Sequence, residues 1–104
     1  MRGTELPVIA DCRLDLPGLR AQRERYRQLG DHVAGIDRGP RSFTVRFDPA
    51  VDRELVEDVV AVERGCCPFF KLGFDAGRRR LTVSVDDPRQ APALEALLFA
   101  LGRG

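Results

Sequence analysis

The chain has 104 residues, of which 43% are hydrophobic and 32% are charged, a composition typical of one globular domain with a single core. A formal net charge of +1 argues against an extended nucleic-acid-binding surface, which needs a marked basic excess. No segment has the apolar run of a transmembrane helix or of a secretory signal. We therefore expect a cytoplasmic protein that contacts neither membrane nor nucleic acid.

The first half of the chain predicts a strand, a helix and a hairpin. Val8–Cys12 is short and mostly apolar and indicates a strand. Pro17–Gly30 indicates a helix, because proline is favoured at the first helical position and glycine at the stop. Its apolar stripe is thin, so we expect this helix on the surface. The segments HVAGID and RSFTVRFD, separated by RGP, predict the hairpin.

The second half predicts a helix, a hairpin and a closing helix. Val51–Gly65 shows the clearest helical period, with apolar residues at i, i+4, i+8 and i+11: Val51, Leu55, Val59 and Val62. The segments FFKLGFD and RRLTVSVD then predict a hairpin around AGR, and PRQAPALEALLFALG predicts the last helix. The predicted order is therefore βαββαββα.

The two hairpins form an internal repeat within a predicted single domain of residues 1–104. An offset of 38 residues aligns Gly35–Asp48 with Gly73–Asp86, and seven of the fourteen positions are identical. The repeat covers about residues 33–48 and 71–86. We predict an α+β fold with a ferredoxin-like core, extended by a fifth strand and a C-terminal helix, and an antiparallel sheet with its helices on one face. In that topology the first strand lies beside the fourth and brings Cys12 near Cys67.

The three cysteines are the residues that best indicate a function. Cys66 and Cys67 are adjacent, and neighbouring Cα atoms lie about 3.8 Å apart, below the roughly 4.4–6.8 Å that disulfides span. A structural disulfide between them is therefore excluded. Under the repeat, residues 66–68 correspond to residues 28–30, which contain no cysteine, so the joint itself does not require thiols. We predict a metal site formed by Cys66, Cys67 and Cys12.

Thiolate ligands favour soft ions. Three sulfur atoms suit trigonal coordination of mercuric ion, cuprous ion or arsenite. Zinc fits less well, because a structural zinc site takes four ligands and the usual C-x₂-C spacing is absent. His32 is the only histidine, and it follows a helix-ending glycine as a loop residue.

Three further residues are expected to surround these ligands: Glu63, Pro68 and Phe69. Phe69, together with Phe70, would form an apolar wall that excludes water. Glu63 lies one helical turn before the cysteines. It is either a hydrogen-bond acceptor or general base for them or, more commonly for such a position, a solvated carboxylate at a helix end.

Other uses of the cysteines stay open from the residues alone. One cysteine could act as a nucleophile and another resolve it, as in a thiol redox protein or enzyme. The cysteines could instead be buried packing residues of an interaction module. Cys67-Pro68 also matches a short haem-binding motif. No Ser-His-Asp, paired-carboxylate, HExxH or glycine-rich phosphate signature occurs, so no catalytic residue is assigned.

The C-x-L segment (Cys12–Leu14), the arginine-rich helix and ERGCCPFF resemble a family of small bacterial proteins with an E-x-x-CCPF element before a hairpin and a final helix. Similar segments occur beside, or fused to, regulators of the mercury-responsive type. The resemblance spans about residues 11–99 and implies a resistance, sequestration or sensing accessory for soft ions. The chain has no predicted helix-turn-helix, so regulation would need a partner regulator or carrier protein. An exposed hairpin edge would allow a homodimer.

Overall fold

The computed structural model describes residues 16–66 and 68–102, with the backbone alone at Cys66. The α+β class and the antiparallel sheet are confirmed. The helices and strands, in chain order, are α1 Leu16–Gly30, β1 Val33–Gly39, β2 Ser42–Phe47, α2 Arg53–Cys66, β3 Phe70–Asp75, β4 Arg80–Val85, a 3₁₀ turn Pro88–Gln90, and α3 Ala91–Ala100.

The described strands form one antiparallel sheet in the order β1-β2-β4-β3. β2 is hydrogen-bonded to β1 on one side and to β4 on the other. A ferredoxin-like order would place the N-terminal strand beside β2, where the structure has β4. The predicted strand Val8–Cys12 lies outside the described residues, so the fifth strand and the ferredoxin-like order stay predictions.

Alternation along the central strands separates the two faces of the sheet, because successive side chains of a strand point to opposite sides. One face is apolar and buried, and α2 and α3 pack against it with Val56, Val59, Leu94 and Leu98. The strand residues of this face are Phe43, Val45, Phe47, Leu81, Val83 and Val85. The other face carries polar residues such as Thr44, Arg46 and Thr82.

Two helix starts differ from the sequence prediction for the same reason, an aspartate that caps the first turn. The predicted helix from Val51 begins at Arg53, because Asp52 Oδ1 accepts hydrogen bonds from the backbone N–H of Glu54 and Leu55 at 3.0 and 3.4 Å. The predicted last helix begins as the 3₁₀ turn, where the Asp87 side chain accepts from the Arg89 backbone N–H at 2.9 Å. Capping thus sets both boundaries.

The internal repeat extends beyond the hairpins. β2 and β4, and the first residues of α2 and α3, are related by the same offset of 38 residues. Thr44 corresponds to Thr82 and is also paired with it across β2 and β4. The two halves are therefore related by an approximate two-fold axis at this pair. The same offset makes Leu101 the counterpart of Glu63.

In the part of the chain that the structure describes, no helix has the length and apolarity needed to cross a membrane.

Candidate functional site at the cysteine end

Helices α1 and α2 run in opposite directions along the sheet. α1 leads into β1 through His32, whose carbonyl oxygen accepts a hydrogen bond from the Asp48 N–H at 2.8 Å, just beyond the end of β2. The next helix, α2, starts from that end of β2. The end of α1 and the start of α2 therefore lie at one end of the sheet, and the start of α1 and the end of α2 lie at the other.

The helices are long enough for this argument to hold over the whole sheet. α1 has 15 residues and α2 has 14, which at 1.5 Å per residue give helices of about 21–22 Å. Strands of six residues, such as β2 and β3, extend about 20 Å. We call the end where α1 begins, α2 ends and β3 begins the cysteine end.

The structure leaves the three predicted ligands partly undescribed. Cys12 and Cys67 lie outside the described residues, and so does the side chain of Cys66. The backbone of Cys66 forms the last position of α2, and Pro68 is exposed just before β3. Among the described residues, no group of three His, Cys, Asp or Glu side chains is placed to hold a metal ion.

Glu63 is buried, with only 4% of its surface exposed. Its Oε2 accepts hydrogen bonds from the Tyr26 hydroxyl at 2.8 Å and from Gln22 Nε2 at 3.1 Å. Both donors are buried and come from α1, and Gln22 Nε2 also donates to the Val59 carbonyl oxygen at 3.1 Å. The prediction that Glu63 is a solvated helix-end carboxylate is wrong. The sequence did contain a signal for its burial, since Glu63 continues the helical stripe of Val56, Val59 and Val60.

The orientation of Gln22 is fixed from both sides. Arg25 Nη1 donates to Gln22 Oε1 at 2.9 Å, which directs the amide nitrogen to Glu63. Arg25 therefore acts on the carboxylate only through the amide. No ion pair joins Glu63 to a cation among the described residues, and none of them donates a hydrogen bond to Oε1. Glu63 is thus held on one oxygen by neutral donors.

The position of Glu63 in α2 adds to the cost of a negative charge. It lies in the last turn of the helix, where the backbone carbonyls concentrate the negative end of the helix dipole. The neighbouring Arg64 is exposed, and its Nη2 donates to the Leu72 carbonyl oxygen at 2.7 Å. That contact ties the helix end to β3 and leaves a positive charge near the cysteine end.

Two phenylalanines follow the cysteines at the start of β3. The ring centroids of Phe69 and Phe70 lie 4.6 Å apart, with an interplanar angle of 50°. Phe70 is buried in the core, and Phe69 is half-buried and packs against the core. An apolar surface therefore stands next to positions 66 and 67, where the sequence predicts a wall around the ligands.

Two other features lie away from this end. His32 stands at the opposite end of the sheet, where its Nδ1 is 3.2 Å from Asp48 Oδ1. A groove of about 380 Å³ lies between the turn after β1 and α3, lined by residues including Phe43 and Leu98 and flanked by the Arg38–Glu95 ion pair. In the sheet order β1 and β3 are opposite edges, so this groove is separate from the cysteine end.

Comparison of the chain with protein-family models, with curated proteins and with solved structures found no match.

Proposed function

We propose that the protein binds a soft metal or metalloid ion, mercuric, cuprous or arsenite, through the thiolates of Cys66, Cys67 and Cys12. The observation that supports this most is the common location of the start of α1 and the end of α2. Cys12 precedes α1 by four residues, a span of at most about 14 Å for an extended chain. It is therefore tethered to the end of the sheet where Cys66 ends α2.

The predicted N-terminal strand fits the same arrangement. β3 pairs with β4 on one side, and no other described strand occupies its outer edge. In a ferredoxin-like order Val8–Cys12 runs antiparallel to β3 along that edge. Because β3 begins at the cysteine end, such a strand finishes there, with Cys12 beside the first residues of β3.

The chemistry of this end favours a thiophilic ion over free thiolates. Cys66 and Cys67 follow the negative end of α2, which opposes ionisation of a thiol. A bound soft cation reverses that balance, because coordination deprotonates the thiol. Half-buried Phe69 limits the access of water and of competing thiols to the ion.

A binding site without catalytic residues suits a cytoplasmic accessory for resistance, sequestration or sensing. Sensing would require a partner regulator or carrier protein that responds to the loaded form.

The test is ion binding by freshly purified, reduced protein in competition with glutathione. We expect one equivalent of mercuric, cuprous or arsenite ion per chain, loss of binding in Cys66→Ser/Cys67→Ser, and weaker binding in Cys12→Ser. His32→Ala, at the opposite end of the sheet, is the control and should bind as the parent does. Equal binding by the double serine variant and the parent would contradict the proposal.

The other uses of the cysteines give different results in the same preparation. A nucleophilic or redox cysteine labels quickly with a thiol reagent below neutral pH. Structural cysteines of an interaction module label slowly, and their replacement changes only stability, by about 1–3 kcal/mol. Haem binding through Cys67-Pro68 gives an absorption change on titration with haem that Cys67→Ser abolishes.

A further inference from the structure

The Glu63 carboxylate has no cation beside it in the described structure, although it is 96% buried by its 4% exposure. Buried charges in proteins are normally paired with an opposite charge or coordinate a metal, because an isolated ion loses its hydration on burial. Arg25 is held one residue away on Gln22 Oε1, and Arg64 is bound to the Leu72 carbonyl oxygen. A positive charge supplied from outside the chain would complete the arrangement.

The repeat shows that the fold does not require an acid at this position. The counterpart of Glu63 in the second half is Leu101, which is also buried, with 3% exposure. An apolar side chain thus serves the equivalent packing position. The half of the molecule that carries Cys66 and Cys67 has the carboxylate, and the half without thiols has leucine.

The hydrogen bonds on Glu63 are one-sided in a way that suits a metal ligand. Oε2 receives both donors, Tyr26 and Gln22, while Oε1 receives none among the described residues. Carboxylates that bind a metal are commonly held by hydrogen bonds from outside the coordination sphere, and these fix their orientation. Tyr26 and Gln22 hold Glu63 in this way before any ion arrives.

We propose that Glu63 supplies an oxygen ligand, through Oε1, to the ion bound by Cys66, Cys67 and Cys12. This rests on the proposed function and deepens it. Glu63 precedes Cys66 by three residues, so the two positions are one helical turn apart on the same face of α2. The site then has three sulfur ligands and one oxygen ligand.

A fourth ligand changes which ions the site accepts. Three thiolates alone suit a trigonal ion, whereas three thiolates and a carboxylate supply the four ligands of tetrahedral zinc. The site accordingly takes divalent ions such as Zn(II), and Co(II) as its spectroscopic substitute. The positive charge of the ion then lies against the buried carboxylate.

The test compares Zn(II) and Co(II) binding by the reduced parent and by Glu63→Gln, in competition with a chelator. The amide keeps the size of the side chain and an oxygen for Tyr26, and removes the charge. We expect a loss of Zn(II) affinity of more than about 10-fold, the lower bound for losing even an outer partner of a ligand. The visible spectrum of bound Co(II) should also lose its four-coordinate form. Glu57→Gln, an exposed acid of the same helix, should match the parent.

The outcomes separate this inference from the function on which it rests. If Glu63→Gln binds Zn(II) and Co(II) as the parent does, Glu63 is not a ligand, and the thiolate site stands. If the parent binds mercuric or cuprous ion but neither Zn(II) nor Co(II), the four-ligand site is wrong and the trigonal site stands. If the parent binds no ion, the proposed function itself fails.

X-ray absorption of the zinc-loaded parent tests the inference without any variant, should Glu63→Gln fold poorly. Three sulfur atoms and one oxygen around zinc, in an otherwise folded protein, support it. A shell of sulfur alone overturns it.

Discussion

The hydroxyl oxygens of Thr44 and Thr82 lie 3.2 Å apart, within hydrogen-bonding distance, at the centre of the β2–β4 pair. These residues are counterparts in the internal repeat, so each strand meets its own copy in antiparallel register. Phe43 is paired with Val83, the counterpart of Val45, and Val45 is paired with Leu81, the counterpart of Phe43. Self-pairing of this kind explains how two similar hairpins join into one sheet with one continuous apolar face.

The Thr44–Thr82 hydrogen bond should contribute modestly to stability, because it lies on the polar face of the sheet. In a double-mutant cycle with Thr44→Val and Thr82→Val, we expect a coupling of about 0.2–1 kcal/mol, the usual range for cross-strand pairs. Urea unfolding of the four proteins measures it. A coupling of zero would mean that the hydroxyls bond to water instead of to each other.

The sequence predicted each hairpin well but not their junction. Alternation in Phe43, Val45 and Phe47 reports which side of a strand is buried, and the glycine-rich turns report where it reverses. Neither signal says which strand of one hairpin meets which strand of the other. The β2–β4 contact is a long-range choice, set by packing of both apolar faces under α2 and α3.

Gly30 is required by a close approach of two backbones. It ends α1 and is buried, and a Cβ at this position would collide with the carbonyl oxygen of Leu101. Because backbone cannot move aside as a flexible side chain does, we expect Gly30→Ala to lower the free energy of unfolding by at least about 2 kcal/mol. Thermal or urea unfolding measures the loss.

Gly73→Ala is the matched control, since a Cβ at Gly73 has no atom within 4 Å. Gly73 lies inside β3, where glycine is unfavourable, so alanine there should be neutral or stabilise by up to about 1 kcal/mol. Equal losses for Gly30→Ala and Gly73→Ala would contradict the steric explanation.

Glu24 should show the clearest pH dependence on the surface. Hydrogen bonds from Arg27 and then from Gln28 lower the pKa of Glu24 from 4.5 to about 2. The pKa in the folded state lies below the ordinary value, so the contribution of this carboxylate is present above about pH 4.5 and is lost as the pH falls towards 2. NMR titration of the side-chain carboxyl measures it directly.

Arg27→Gln removes the first of these donors and should return the pKa of Glu24 most of the way to 4.5. Both side chains are exposed, so the change should be visible in the titration and small in overall stability. An unchanged pKa in Arg27→Gln would show that the ion pair does not persist in solution.

The candidate site was predictable in its location and not in its internal contacts. The cysteine pair, Phe69 and the end of the second helix are visible in the sequence. Gln22 and Tyr26 were harder to assign, because a polar side chain in an arginine-rich surface helix resembles its solvated neighbours. The spacing of Leu19, Gln22, Tyr26 and Leu29 is nevertheless that of a buried stripe. A polar residue within such a stripe indicates a buried partner, which here is Glu63.

Tyr26 and Glu63 should be strongly coupled in the metal-free protein. Tyr26→Phe removes a hydrogen bond to a buried carboxylate, and we expect a loss of about 1.5–3 kcal/mol in the free energy of unfolding. Glu63→Leu removes the buried charge and places at this position the residue found at its counterpart, Leu101. In the double variant Tyr26→Phe/Glu63→Leu no carboxylate remains to be stabilised, so most of the loss should be recovered.

Urea unfolding of the parent, the two single variants and the double variant, all reduced and free of metal, gives the coupling energy. We expect about 1.5–3 kcal/mol, because hydrogen bonds to charged groups fall in that range and both residues are buried. Tyr26→Phe made in the Glu63→Leu background should therefore cost almost nothing. If it costs as much there as in the parent, the tyrosine stabilises the fold by packing alone and does not hold the carboxylate in place.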